Sequence, residues 1–303
     1  MSQSGAVTVP ETPRRLLPLS GPFDLARTVA PTWWARGRWP NVDARRGAFV
    51  WVGWEASQVA WRSVRQIDDQ RLEIIGSRST DLDVHWASAV LGASTAMPVF
   101  DDPIMAALAR KHAGLRPWSA GSLFEGVVSS IVGQSISVAA AATTERRLCQ
   151  RFNKGLHLDG REFWPPPRPE QLASSSAVFV RESGVTTKRA EALVAVATLF
   201  ASESGAAAFA VDPFAAVERL ASISGIGPWT VQSALLWGIA ASDAHPTRDV
   251  ALLRAVRVHY PDVADFKDLD RLAARWQPHR GWAARLLWLD LLGHEGAVAT
   301  SSA

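Results

Sequence analysis

Two short features of the chain have the residue types and spacing to act on a nucleic acid. One is Ile223-Ser224-Gly225-Ile226-Gly227-Pro228-Trp229-Thr230; the other is Asp249, which lies 24 residues after Gly225 and follows Pro246-Thr247-Arg248. A Gly-x-Gly hairpin that opens a helix leaves that helix's first N–H groups unpaired, at the positive end of its dipole. Such a hairpin can hold a phosphate through main chain without reading base sequence. Pro228 suits the first helical position, where a missing N–H loses nothing. Gly225 and Gly227 are expected to allow positive φ and a close backbone approach, with Ile226 anchored in the core. An ionised carboxylate stabilises positive charge on a sugar as an N-glycosidic bond breaks, and can orient a water. Each feature also has an ordinary reading. The hairpin can be a helix C-cap and turn, and Asp249 the N-cap of the amphipathic helix that follows it. Capping and catalysis are compatible, because a cap holds the carboxylate rigidly at the helix mouth.

Aromatic residues supply the other half of a base-binding site. The chain has 14 tryptophans and a single tyrosine, Tyr260. Trp229, Ser233 and Trp237 share one helix face, and Trp282, Arg285 and Trp288 nearly share another. Aromatic residues at that spacing usually form core.

The elements that must position these residues differ between the two ends of the chain. Residues 1–20 carry Pro10, Pro13 and Pro18 without periodicity and read as a loosely attached N-terminus. Residues 21–98 read as a small α+β domain. Ala48–Trp54, Val59–Val64 and Arg71–Ile75 are strands separated by turns at 55–57 and 68–70, and a helix covers Asp81–Leu91. Residues 99–295 read as an all-helical region with a cleft between two subdomains, and 296–303 as a frayed tail. Within the helical region Asp102-Pro103 opens one helix, and residues 122–152 form a long amphipathic run capped by Ser122. Further helices cover 188–202, a segment from Asp212-Pro213 to about 221, 228–240, 249–259, 269–276 and 279–292, and 160–169 is loop.

A net charge of +3 permits a nucleic-acid partner without requiring one. The single cysteine, Cys149, excludes an intrachain disulfide and any four-cysteine zinc or iron–sulfur site. The N-terminus does not read as a signal peptide and no stretch is long enough to span a bilayer, so a cytoplasmic, nucleoid-associated protein is expected. Arg36, Arg38, Arg45 and Arg46 read as a solvated face.

Four ordered segments resemble the helix–hairpin–helix (HhH-GPD) DNA glycosylase superfamily, and within it the AlkA-like 3-methyladenine DNA glycosylase II group. They are Phe124–Val128 with Ile131–Ala139, Gly184-Val185 with Lys188–Leu193, the hairpin with Pro246-x-x-Asp249, and Trp276–Arg280 through Trp288. The resemblance implies an α+β fold, with a small antiparallel sheet domain ahead of an all-helical catalytic region. It implies that Asp249 is the catalytic acid and that Trp229 and Trp288 are pocket walls, with Ser233 and Val250 where the family's best-known member has tyrosines. It places the phosphate on Ser224, Gly225, Ile226, Gly227 and Thr230, with a monovalent Na⁺ or K⁺ on the hairpin carbonyls and otherwise no cofactor. It puts Gln134, Ser135 and Ile136 in the turn inserted at the lesion, where Ser135 is a poor wedge and Gln134 or Ile136 takes that role. Lys188 and Arg189, cations at a helix start, read either as phosphate contacts or as solvent-exposed. Bifunctional members carry a lysine at the position of Trp229; tryptophan cannot form a Schiff base, which implies base removal without strand cleavage. The expected substrate is an alkylated purine in double-stranded damaged DNA, bound by a monomer with no membrane partner. A non-catalytic lesion binder and a glycosylase for oxidised or deaminated bases remain as alternatives.

Overall fold

The computed structural model describes all residues except 1–13, 35–37, 46, 78–80, 203–208, 210–211 and 302–303. Five strands, β1 (Arg15–Pro18), β2 (Val42–Arg45), β3 (Ala48–Glu55), β4 (Gln58–Gln66) and β5 (Arg71–Gly76), form one antiparallel sheet in the order β1-β5-β4-β3-β2. The β3–β4 hairpin closes at Ala56-Ser57, with Ala56 at φ 52° and Glu55 paired to Gln58. Phe49, Trp51, Val64, Leu72 and Ile74 are buried from the sheet, together with Ala87, Val90 and Leu91 of the helix Asp81–Val90 and its end.

The sequence reading placed β3, β4, β5 and this helix and missed the two edge strands. β1 corrects the expectation of a loose N-terminus through residue 20, since Arg15–Pro18 pairs with Arg71–Ile74 and buries Leu17. Pro18 is tolerated there because β1 is an edge strand.

The rest of the chain is mostly helical. The helices that frame the site are Leu123–Gly133, Val138–Phe152, Thr187–Ala201, Pro228–Ile239, Val250–Arg257 and Arg280–Ser301. The amphipathic run over 122–152 is two helices that break at the turn the resemblance implied, because Ser135 takes φ 50° and Ser137 caps a new helix by accepting the Ala140 N–H. The expected loop at 160–169 contains β7 (Arg161–Phe163), which pairs with β6 (Leu156–Leu158) around Asp159-Gly160, both at positive φ. The expected fraying from 296 is not seen up to Ser301, where the last helix continues through a stretch without proline.

Two helices pass at backbone contact. A Cβ on Gly126 would lie 2.6 Å from the Ala234 carbonyl oxygen and from the Gly238 Cα. The helices Leu123–Gly133 and Pro228–Ile239 therefore run antiparallel at close range, so the C-terminal end of the first lies beside the hairpin that starts the second. Trp237, on the second helix, packs against both the sheet-side core and the helix-side core.

Candidate functional site

A cleft of about 1180 Å³ opens where these ends meet. Trp229, Ser233, Trp237, Trp288, Asp249 and Val250 line it from the hairpin helix and its neighbours, Gln134, Ser135 and Ile136 from the turn, and Arg38 from the N-terminal part. Asp249 caps the helix Val250–Arg257: its Oδ1 accepts the Leu252 N–H at 2.8 Å. Its Oδ2 accepts the Trp229 Nε1–H at 2.9 Å. The cap reading therefore holds, and the cap leaves the carboxylate half-buried on the cleft wall and fixed at both oxygens.

The hairpin differs in detail from the sequence reading. Gly225 takes φ 92°, but Gly227 is extended, so only one of the two glycines uses its conformational freedom. Gly227 provides space instead, since a Cβ there would meet nothing within 4 Å. The N–H groups of Gly225 and Gly227 have no backbone acceptor among the described residues, whereas the Ile226 N–H is taken by the Ile223 carbonyl. Ile226 is buried and anchors the turn. Thr230 is 2% exposed and its hydroxyl accepts from Gln134, so its side chain holds the hairpin from inside and does not face a phosphate. Ser224 is exposed at the hairpin surface.

Gln134 fastens the turn to the hairpin. Its Nε2 donates to the Gly225 carbonyl at 2.9 Å and to Thr230 Oγ1 at 2.8 Å. Arg189 donates in turn to the Gln134 carbonyl. Both residues are committed to holding the site together, which removes Gln134 as a free wedge and ties down Arg189. Ser135 and Ile136 are exposed on the turn, and Lys188 is exposed with its stem beside Gly225. Because the carbonyls of Gly225 and Ile223 each already accept one protein donor, a monovalent cation on this hairpin would use their remaining lone pairs.

The aromatic wall is deeper than expected. Trp288 is 9% exposed and stacks on Trp237, with centroids 5.5 Å apart and planes 20° from parallel. Trp237, which sequence reasoning left as core, thus belongs to the cleft; its place on one face with Trp229 and Ser233 was the available signal. Trp237 also meets Trp39 at 5.8 Å, and the buried Arg285 guanidinium lies over its ring. Ser233 is buried in the position between Trp229 and Trp237, while Val250 is 73% exposed and stands at the rim.

Arg38 corrects the reading of a solvated basic face. Its Nη2 donates to the Ser129 carbonyl at 2.7 Å and its Nε lies 3.9 Å from Glu145 Oε2, with the side chain mostly buried. Arg36, Arg46 and the Arg45 side chain lie outside the described residues. Burial pushes the Glu145 carboxyl up to about 7 against the opposing pull of Arg38 and Ser129, and pushes Glu125 up to about 8 with help from Glu145. No sequence signal led to Arg38, because the groups that bury it lie about a hundred residues away in the chain.

No protein-family model matches the chain. DNA-3-methyladenine glycosylase of Bacillus subtilis is 27% identical over 191 residues, covering 62% of this chain and 63% of that protein. DNA-3-methyladenine glycosylase 2 of Escherichia coli is 30% identical over 175 residues, covering 58% of this chain and 60% of that protein. The match thus spans less than two thirds of each relative's length. Among solved structures, a 3-methyladenine DNA glycosylase from Archaeoglobus fulgidus superposes with a TM-score of 0.78 at 18% identity, over 91% of this chain and 97% of that one. An 8-oxoguanine glycosylase/lyase from Clostridium acetobutylicum gives 0.68 at 16% identity, over 89% and 93%. The fold, with its five-stranded sheet and helical region, is that of the helix–hairpin–helix DNA glycosylases. In sequence the chain is similar to 3-methyladenine DNA glycosylases over the matched part of its length. Among the described residues no helix is long and apolar enough to cross a membrane.

Proposed function

We propose that this protein is a monofunctional DNA glycosylase that takes an alkylated purine out of duplex DNA and hydrolyses its N-glycosidic bond. One observation carries the reading: the Asp249 carboxylate is held by two N–H donors on the wall of an aromatic cleft, beside a main-chain hairpin with open N–H groups. The names of the curated relatives support the same reading.

In this mechanism the N–H groups of Gly225 and Gly227 hold one phosphate of the damaged strand, and the exposed Ser224 and Lys188 flank it. A monovalent cation on the hairpin carbonyls would add positive charge at the same phosphate. Ile136, 37% exposed on the turn that Gln134 fastens, fills the gap left by the extruded nucleotide, with Ser135 supplying the bend. The base enters between Trp229 and the Trp237–Trp288 stack. Asp249 then stabilises the positive charge on the sugar and orients the attacking water. No lysine occupies the position of Trp229, so no Schiff base forms there and the product is an intact strand with an abasic site.

Base release from methylated duplex DNA tests the proposal. Asp249→Asn offers one carbonyl oxygen where the N–H groups of Leu252 and Trp229 each need an acceptor, and it removes the charge. The variant is expected to keep DNA binding and lose base release by about a hundredfold or more. Undiminished release, or strand nicking by the wild-type protein without added base, contradicts the proposal.

A further inference from the structure

Arg38 reaches the cleft from outside the helical region, and part of its guanidinium has no partner among the described residues. Of its nitrogens, Nη2 is bound to the Ser129 carbonyl, and Nε is sealed without a hydrogen bond 3.9 Å from Glu145. Nη1 makes no hydrogen bond among the described residues and is not among their sealed, unpartnered atoms. The group lines the cleft, lies over the Trp39 ring at 5.7 Å, and is near enough to Asp249 to feel its charge. Gly133 makes room for it, because a Cβ there would lie 2.4 Å from Nη2.

A guanidinium N–H donates and never accepts. Facing the 6-position of a purine, it pairs with the carbonyl oxygen of a guanine-type base and opposes the amino group of an adenine-type base. N-Alkylated guanine and adenine both carry a positive charge while bound to the sugar and both leave as neutral bases once that charge passes to the sugar, so charge does not separate them; the 6-position does. We propose that Arg38 is a specificity-determining residue that favours 6-oxo purines such as 7-methylguanine over 6-amino purines such as 3-methyladenine. The inference deepens the glycosylase reading and rests on it.

The test measures release of 7-methylguanine and 3-methyladenine together from one sample of methylated duplex DNA. The ratio of the two cancels any general loss of folded enzyme. Arg38→Met is expected to lower the ratio of 7-methylguanine to 3-methyladenine by about tenfold or more. Gly133→Ala, which keeps Arg38 but displaces its tip, is expected to shift the ratio in the same direction. An unchanged ratio in Arg38→Met, whether both rates hold or fall together, overturns the assignment and leaves the glycosylase reading intact. Absence of base release by the wild-type protein overturns the glycosylase reading instead. Calorimetric titration with the two free bases then decides the role of Arg38. Preference for 7-methylguanine that Arg38→Met abolishes sustains it, and equal or no binding by the wild type overturns it.

Discussion

At the scale of single residues, the site is organised around two hydrogen bonds to one carboxylate. Leu252 N–H fixes Asp249 as a helix cap, a role that any aspartate before an amphipathic helix can take. The Trp229 Nε1–H fixes the other oxygen, and this bond distinguishes a cap from a site. It also makes Trp229 a donor to the carboxylate, separable from the stacking role that the proposed function gives its ring. Trp229→Phe keeps most of the ring and deletes the donor. A hydrogen bond to a charged group contributes roughly 1.5–3 kcal/mol, so the single-turnover rate of base release is expected to fall by about tenfold or more. Because Trp229 is half-buried, the melting temperature should change little. A rate equal to wild type would show that Leu252 alone holds the carboxylate.

At the scale of elements, the site depends on how closely two helices approach. The helices Leu123–Gly133 and Pro228–Ile239 touch through Gly126 and Gly238, and this contact brings the Gln134 amide within reach of Gly225 and Thr230. Gly126→Ala would force a methyl against the Ala234 carbonyl and the Gly238 backbone, neither of which can turn aside. Overpacking of this kind costs roughly 1–3 kcal/mol. Denaturant unfolding should report that loss, with base release falling further than stability as turn and hairpin separate; wild-type stability in this variant would refute the close approach. Much at this scale was legible in the sequence. The strands from Ala48 to Gly76, the caps Asp102, Ser122 and Asp249, and the hairpin all follow from local pattern and turn chemistry. The break at Ser135 followed only from the resemblance, because a positive φ at serine has no local signature in the sequence. The edge strand β1 was hidden by its proline and by an alternation only four residues long.

At the scale of the whole molecule, distant groups meet where no local pattern could show it, and Arg38 with Glu145 and Asp290 with two histidines are the clearest cases. Asp290, on the last helix, is fully buried and takes hydrogen bonds from Lys111 at 2.5 Å, His112 at 2.8 Å and His259 at 2.9 Å, joining three parts of the helical region. Burial would raise its pKa, but the bonds and charges of Lys111 and His112 prevail and hold it below the usual carboxylate range. Burial lowers His112 despite Asp290. Both folded values are depressed, so each group's contribution is present above its unfolded pKa, near 6.5 for His112 and near 4 for Asp290, and is lost as pH falls. Glu125 and Glu145 work in the opposite sense. Their raised values of about 8 and about 7 mean that stability present at low pH is lost as pH rises through that range. The wild-type protein should therefore be most stable in mildly acidic solution and lose stability on both sides. Asp290→Asn is expected to cost about 3 kcal/mol at pH 7 and to flatten the acid limb between pH 5 and 3. Glu125→Gln is expected to raise the melting temperature at pH 9 and leave it unchanged at pH 5. Thermal unfolding of the two variants across pH 3 to 9 checks both limbs, and an acid limb as steep in Asp290→Asn as in wild type would remove Asp290 as its source.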